Sequence, residues 1–133
     1  MSSGKLEAVV AIVERNGRFL MGKRSAHKPS APGYWCPVTG RVEPGESQAE
    51  AVVREVREET GLHVLALEKV AESDTHDGTT VLHWWRTQLV GDAVARLAND
   101  EHSELRWVTP EQMGALHPVF PQDLGLLLCV AER

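Results

Sequence analysis

Long hydrophobic runs are missing from this 133-residue chain. No stretch approaches the roughly 20 apolar residues that a membrane-spanning helix needs. The opening residues, MSSGKLEAVV, lack the blocks of a secretory signal. Cysteine is scarce. Cys36 and Cys129 are too few for a disulfide framework and form no CxxC pair, so both read as core thiols of a reduced, cytoplasmic protein. Positive charge is in deficit, the formal net charge being −5. That argues against binding a nucleic-acid polymer through a basic face. It also requires that an anionic substrate be met by local cations or by a metal. Repeats, low-complexity segments and linkers are absent as well. What remains is ordinary globular composition, and residues 1–133 are expected to form one domain, a size at which about two-thirds of the unfolded surface is buried.

The coarse pattern alternates strands and helices. Leu6 to Glu14 is β-rich, Asn16-Gly17 signals a hairpin, and Phe19-Leu20-Met21 continues as a second strand. Ser25 to Gly33 reads as a polar loop and Trp35 to Val38 as a short strand. Leu62 to Val70 and Thr80 to Val90 read as strands joined by a turn over Glu72 to Gly78. Gly91 to Asp100 is ambiguous, and Glu104 to Val108 is a short strand. Thr109-Pro110-Glu111 opens a short helix, and Pro121 to Ala131 is apolar enough for a C-terminal one. Strands mixed with three helices predict an α/β domain with helices on both faces of the sheet. Trp84 and Trp85, adjacent in a strand, must point to opposite faces: one into the core, the other over the second face or into a dimer contact.

The best-specified element lies between them, in GRVEPGESQAEAVVREVREETGL, Gly40 to Leu62. Ser47 and Glu50 form a capping box, and Gly61 supplies a left-handed stop. Ala49, Val52, Val53 and Val56 recur at helical spacing as a buried stripe. Glu55, Glu58 and Glu59, at i, i+3 and i+4, then share one side of the helix at the edge of that stripe. Like charges so placed repel by about 0.2–0.5 kcal/mol per pair, and a cation among them reverses the sign. Hard oxygen ligands suit Mg²⁺ or Mn²⁺, and through them a phosphate-bearing substrate. An acidic, solvated helix face is the ordinary alternative. Gly40-Arg-Val-Glu-Pro-Gly45 makes a tight loop before the helix, where backbone can approach a ligand.

The whole segment resembles the Nudix box, G-x5-E-x7-R-E-U-x-E-E-x-G-U with U apolar, at Gly40, Glu46, Arg54, Glu55, Val56, Glu58, Glu59, Gly61 and Leu62. A chance match at one start point is on the order of one in a billion from average residue usage. The resemblance implies the Nudix fold, a mixed β-sheet in an α/β/α sandwich. It implies hydrolysis of a diphosphate linkage in a nucleoside diphosphate joined to another moiety. Glu55, Glu58 and Glu59 would be metal ligands with the Gly40 carbonyl, holding Mg²⁺ or Mn²⁺, while Glu46 and Arg54 would brace loop and helix through a salt bridge. Family members differ in the general base, some using the first helix glutamate and others a loop acid. Glu101 and Glu104, in NDEHSELRW, fall where relatives carry that loop carboxylate. Glu101 is the first candidate and Glu55 its rival. His102 reads as a surface residue.

Substrate recognition is less determined. Lys23 and Arg24 end a strand where relatives reach phosphate or base. Tyr34 and Trp35 offer rings for stacking. Phe120, Pro121, Gln122 and Asp123 fall near the segment that contacts the base in MutT-like relatives. Markers of other subfamilies are missing: His76 stands where ADP-ribose hydrolases carry proline, Gly78 where dinucleoside polyphosphate hydrolases carry tyrosine, and the SQPWPFPxS stretch of the NADH-cleaving group is absent. The default expectation is a MutT-like hydrolase converting a (deoxy)nucleoside triphosphate to monophosphate and pyrophosphate. Nucleotide sugars or other diphosphates, an isomerase of isopentenyl diphosphate with Cys36 as its cysteine, and a non-catalytic nucleotide sensor are the alternatives. The expected partner is a small nucleotide, with no membrane and with a homodimer left open.

Overall fold

The computed structural model describes residues 4–132. Its elements run β1 (Leu6–Ile12), β2 (Glu14–Arg15), β3 (Arg18–Arg24), β4 (Trp35–Cys36), β5 (Val38–Arg41), α1 (Gln48–Thr60), β6 (His63–Asp74), β7 (Thr80–Val90), β8 (His102–Val108), α2 (Pro110–Met113) and α3 (Pro121–Ala131). One sheet has the order β5-β1-β7-β6 and is mixed, because β1 runs antiparallel to β5 and parallel to β7. The other joins β2, β3 and β4, with β8 on the remaining edge of β3.

β1 explains the layering. It lies between β5 and β7, so both its edges are paired, and because helices cover both its faces it reads as a continuous apolar run. Ala8, Val10 and Ile12 face a core shared with Trp84, Met113, Leu127 and Val130. Val9 and Ala11, with Val13 just beyond the strand, face a second core with Ala51, Val52 and Val56 of α1. Helices thus cover both faces, as the expected α/β/α sandwich requires. Trp84 is fully buried and its indole donates to the Ser73 hydroxyl at 3.0 Å. Trp85 covers the opposite face and donates to Gln48 Oε1 at 3.0 Å.

Local signals worked where the chemistry was local. Asn16 (φ 52°) and Gly17 (φ 77°) form the expected two-residue turn. Ser47 and Glu50 make both hydrogen bonds of the capping box, and Gly61 closes α1 at φ 76°. Thr109 and Gln112 cap α2 in the same way. Cys129, expected as a core thiol, is exposed, and three expectations about strands need correction. The run from Leu6 to Glu14 divides, β1 ending in the first sheet and β2 starting in the second. Trp35 to Val38 also divides, because Pro37 offers no N–H to a ladder and the chain changes sheet there. The turn placed at Glu72 to Gly78 is shorter, since β6 stays paired with β7 as far as Asp74↔Val81, through two register shifts.

Gly91 to Asp100 takes no regular structure. It is nonetheless pinned to the end of α1, where Arg96 N–H donates to the Thr60 carbonyl and Ala98 N–H to the Glu59 carbonyl. Two of the helix's orphan acceptors are thereby satisfied.

Candidate active site

The loop before α1 and the helix itself are tied together by Arg54. Its Nε donates to Glu46 Oε2 at 2.7 Å and its Nη2 to Glu46 Oε1 at 2.9 Å, a two-pronged pair. Nη2 also donates to the Arg41 carbonyl at 2.8 Å, and Nη1 to Glu55 Oε1 at 2.8 Å and Glu58 Oε2 at 3.1 Å. Hydrogen bonding to Glu46 is the main cause holding the Arg54 guanidinium further above its ordinary value. The same bond holds the Glu46 carboxyl below its own. Arg54 thus offsets much of the repulsion expected between Glu55 and Glu58.

The three helix carboxylates have different surroundings. Glu58 is half-exposed and turned to Arg54. Glu55 packs against Gly40, where a Cβ would overlap its carboxyl group; the glycine leaves that space. Glu59 is only 2 % exposed. Its Oε2 has no hydrogen-bond partner, and its Oε1 lies 3.4 Å from His102 Nδ1. Burial, then the neighbouring Glu55, then Glu101 push the Glu59 carboxyl well above the usual carboxylate range, with Lys28 opposing. Among the described residues, no three acidic, imidazole or thiol side chains already converge on one point. Glu55 and Glu58 are drawn to Arg54, and Glu59 is turned inward.

The buried stripe of α1 is also rotated from the one expected. Ala51, Val52, Val56, Glu59 and Thr60 are buried, while Ala49 and Val53 are only partly so. Thr60 is accommodated by donating to the Val56 carbonyl at 2.6 Å. Glu59 has no such arrangement for its second oxygen.

A cleft of about 660 Å³ opens beside Glu55, while Glu58 and Glu59 are not among the residues that line it. Gly40 and the charged Glu55, Glu101, Arg24 and Lys28 line it. The β6–β7 turn with His76, and the start of α3 with Phe120 and Asp123, line it too. Glu101 is ion-paired with Lys28. Glu104 is not part of the cleft; it pairs with Arg106 at 2.6 Å. Lys23 is also outside the lining, its neighbour Arg24 inside, as alternation along a strand allows. Trp35 is 4 % exposed and lies under the Arg106 guanidinium, so its ring is core rather than a stacking platform. Tyr34 does not line the cleft either; it stacks on Phe120 at 4.4 Å, and His76 stacks on the same ring at 4.9 Å. Asp123 does line it, and burial pushes its carboxyl up to about 6.

Two contributors escaped the sequence reading. Lys28 sat in a loop read only as polar, and its partner Glu101 is 73 residues away. His102, expected at the surface, is 6 % exposed, because β8 pairs with β3 and lays the ring over Gly22. Burial holds the His102 ring down to about 4. Cys36 lines the cleft with its thiol pushed up to about 12, chiefly by burial. A thiol so held is not a thiolate at neutral pH, which weighs against a cysteine-based isomerase. No helix is long and apolar enough to cross a membrane among the described residues.

Comparison with known proteins agrees with this geometry. A family model described as NUDIX domain matches residues 5–127. The chain is 39 % identical over 124 residues to a CTP pyrophosphohydrolase of Escherichia coli (strain K12), covering 92 % of this chain and 88 % of that one. It is 32 % identical over 120 residues to the nucleoside triphosphatase NudI of Enterobacter sp. (strain 638), covering 81 % and 84 %. Among solved structures, a MutT protein from Methanosarcina mazei Go1 superposes with a TM-score of 0.83 at 25 % identity, over 100 % of this chain and 96 % of that one.

Proposed function

The chain belongs to the NUDIX family of hydrolases, and we propose that it is a divalent-metal-dependent pyrophosphohydrolase that converts a pyrimidine nucleoside triphosphate to its monophosphate and pyrophosphate. The observation that carries this reading is Glu59, a buried carboxyl with an oxygen that no protein group satisfies. An acid in that state is costly unless something else pairs it. The donor set fits Mg²⁺ or Mn²⁺: Glu55, Glu58 and Glu59, with the carbonyl of Gly40, the residue against which Glu55 packs. Such an ion, when bound, supplies charge neutralisation at the phosphate oxygens and a more acidic water.

The chain's own groups divide the remaining work. Arg24 and Lys28 on the cleft wall meet phosphate charge in a protein that is otherwise net acidic. Glu101 is assigned the proton of the attacking water. The water oxygen bonds to one phosphorus, the bridging P–O bond breaks, and its electrons leave with the departing phosphate group. Glu55 is the alternative base. Across the cleft, the His76 ring, backed by Phe120, is offered to a base, and the Asp123 carboxylate suits the exocyclic amino group of cytosine as an acceptor. A cytidine substrate is favoured by the 39 % identity to a protein named CTP pyrophosphohydrolase.

The test is a turnover screen of CTP, dCTP, UTP, ATP, GTP, nucleotide sugars and dinucleotides with Mg²⁺ or Mn²⁺, products being resolved by mass. CMP with pyrophosphate is expected from CTP, at a higher kcat/KM than from the purine triphosphates. Undiminished turnover in excess chelator, or no turnover of any triphosphate, would overturn the reading.

A further inference from the structure

Gly22 lies inside β3 with an ordinary extended backbone, so conformational freedom does not account for it. Space does. A Cβ at Gly22 would come within 2.6 Å of His102 Cδ2, 2.7 Å of Cγ and 2.8 Å of Nδ1. The imidazole therefore lies flat on bare strand backbone. Neither its Nδ1 nor Glu59 Oε2 makes a hydrogen bond, and Nδ1 stands 3.4 Å from the other Glu59 oxygen, Oε1. Both side chains are more than nine-tenths buried. Two polar groups shut away from water, each with an unmet atom and each facing the other, constitute an unfinished hydrogen bond.

We propose that His102 is a positioning residue for Glu59: the ring, seated on Gly22, directs Nδ1–H to one carboxylate oxygen and so sets the direction in which the other faces the cation. The inference rests on the reading of Glu59 as a metal ligand. Histidine supplies a donor on a rigid plane, and β8 supplies the plane's height through its pairing with β3 at Arg24↔His102. A donor that orients a ligating carboxylate typically changes metal affinity by about 10–100-fold.

Asparagine and glutamine at position 102 separate donor geometry from mere polarity. The asparagine amide places its nitrogen near the position of Nδ1, and the longer glutamine amide carries it beyond. Mn²⁺ alone is titrated into the full-length, substrate-free protein by calorimetry, with metal-free melting curves on the same samples. His102→Gln is expected to weaken Mn²⁺ binding by about 10-fold or more, and His102→Asn to recover most of that loss, with both variants melting alike without metal. Gly22→Ala, which pushes the ring away, should weaken Mn²⁺ in the same direction. Equal Mn²⁺ affinity for the Asn and Gln variants overturns the inference, as does a loss that tracks the metal-free melting temperature. The Glu59→Gln control keeps the two readings apart. If wild type binds Mn²⁺ and Glu59→Gln does not, while His102→Gln binds normally, only the positioning role fails. If wild type binds no Mn²⁺, the metal reading fails and this one with it.

Discussion

Replacing Glu59 by glutamine keeps the size of a buried side chain and removes its titration. The carboxyl is raised from its ordinary 4.5 by burial, by Glu55 and by Glu101. Above about pH 4.5 the unfolded chain gives up the Glu59 proton while the folded, metal-free chain keeps it, so stability falls by up to about 1.4 kcal/mol per pH unit. His102 works against this at lower pH. Burial lowers it from 6.5 to about 4, so between those values the unfolded chain binds the extra proton and stability rises with pH, offsetting the Glu59 slope. Above pH 6.5 that contribution is flat. Asp123, pushed up to about 6, has largely titrated by pH 7, and Cys36 contributes only towards its ordinary 9.0 and beyond. The interval from about pH 7 to about pH 8.5 therefore isolates Glu59, with an upper limit of about 2 kcal/mol. For a chain of this length that is a fall in Tm of about 4–7 °C. The assay is a thermal melt followed by circular dichroism in excess chelator at several pH values across the interval. Wild type should lose stability as pH rises and Glu59→Gln should stay level. A wild-type Tm that is flat there, or that falls in parallel with the variant, would refute the argument.

Further outcomes follow from single contacts. Glu101→Gln should lower kcat by about 10²–10⁴-fold with little change in Mn²⁺ affinity, whereas Glu104→Gln, outside the cleft and paired with Arg106, should keep wild-type kcat; if Glu101→Gln also keeps it at saturating metal, Glu55 becomes the base. Gly40→Ala puts a methyl group where the Glu55 carboxyl lies, so Mn²⁺ affinity should drop sharply while far-ultraviolet circular dichroism shows α1 intact; unchanged affinity would remove Gly40 from the proposed metal site. Gly61→Val should lower Tm, because Gly61 holds φ 76° with the Arg96 side chain against it and a β-branched residue tolerates that conformation poorly. An unchanged Tm there would mean that α1 does not end as described.

Most of the fold was legible because its signals are short-range. The cap of α1 is set by Ser47 and Glu50, three residues apart, and the first hairpin by the adjacent Asn16 and Gly17. The failures lie where pairing is long-range. Nothing near Glu72 says that β6 continues to Asp74; its partners come from β7, through two bulges. The charge-rich run there looks like a turn because one face of this edge strand meets water. Pro37 was visible, but that it divides a strand between two sheets depends on β3 and β1 claiming the two halves separately.

The site divides along the same line. Periodicity located Glu55, Glu58 and Glu59 on one side of α1, but a stripe drawn through apolar residues alone took in Ala49 and Val53 along with Val52 and Val56, which are buried. The helix is rolled so that Ala51, Glu59 and Thr60 go inward instead. Apolar counting cannot foresee this, since it treats a glutamate as a reason to face solvent, and the energetic cost of burying one argues the same way. The rotation becomes intelligible only with the groups that surround Glu59: His102 from β8, Lys28 and Glu101 from two loops, and the Gly61 end of α1 tied down through Arg96 and Ala98. The packing of α1 holds an acid where an acid is unstable by itself. That is the condition under which metal binding is expected to stabilise the fold most, by about 1.4 kcal/mol for each tenfold excess of ion over its dissociation constant once the site is saturated. Mn²⁺ should accordingly raise Tm more at about pH 8.5, where the metal-free protein bears the larger penalty, than at about pH 7. A metal-induced shift of equal size at both would mean that the buried proton of Glu59 is not what the cation displaces.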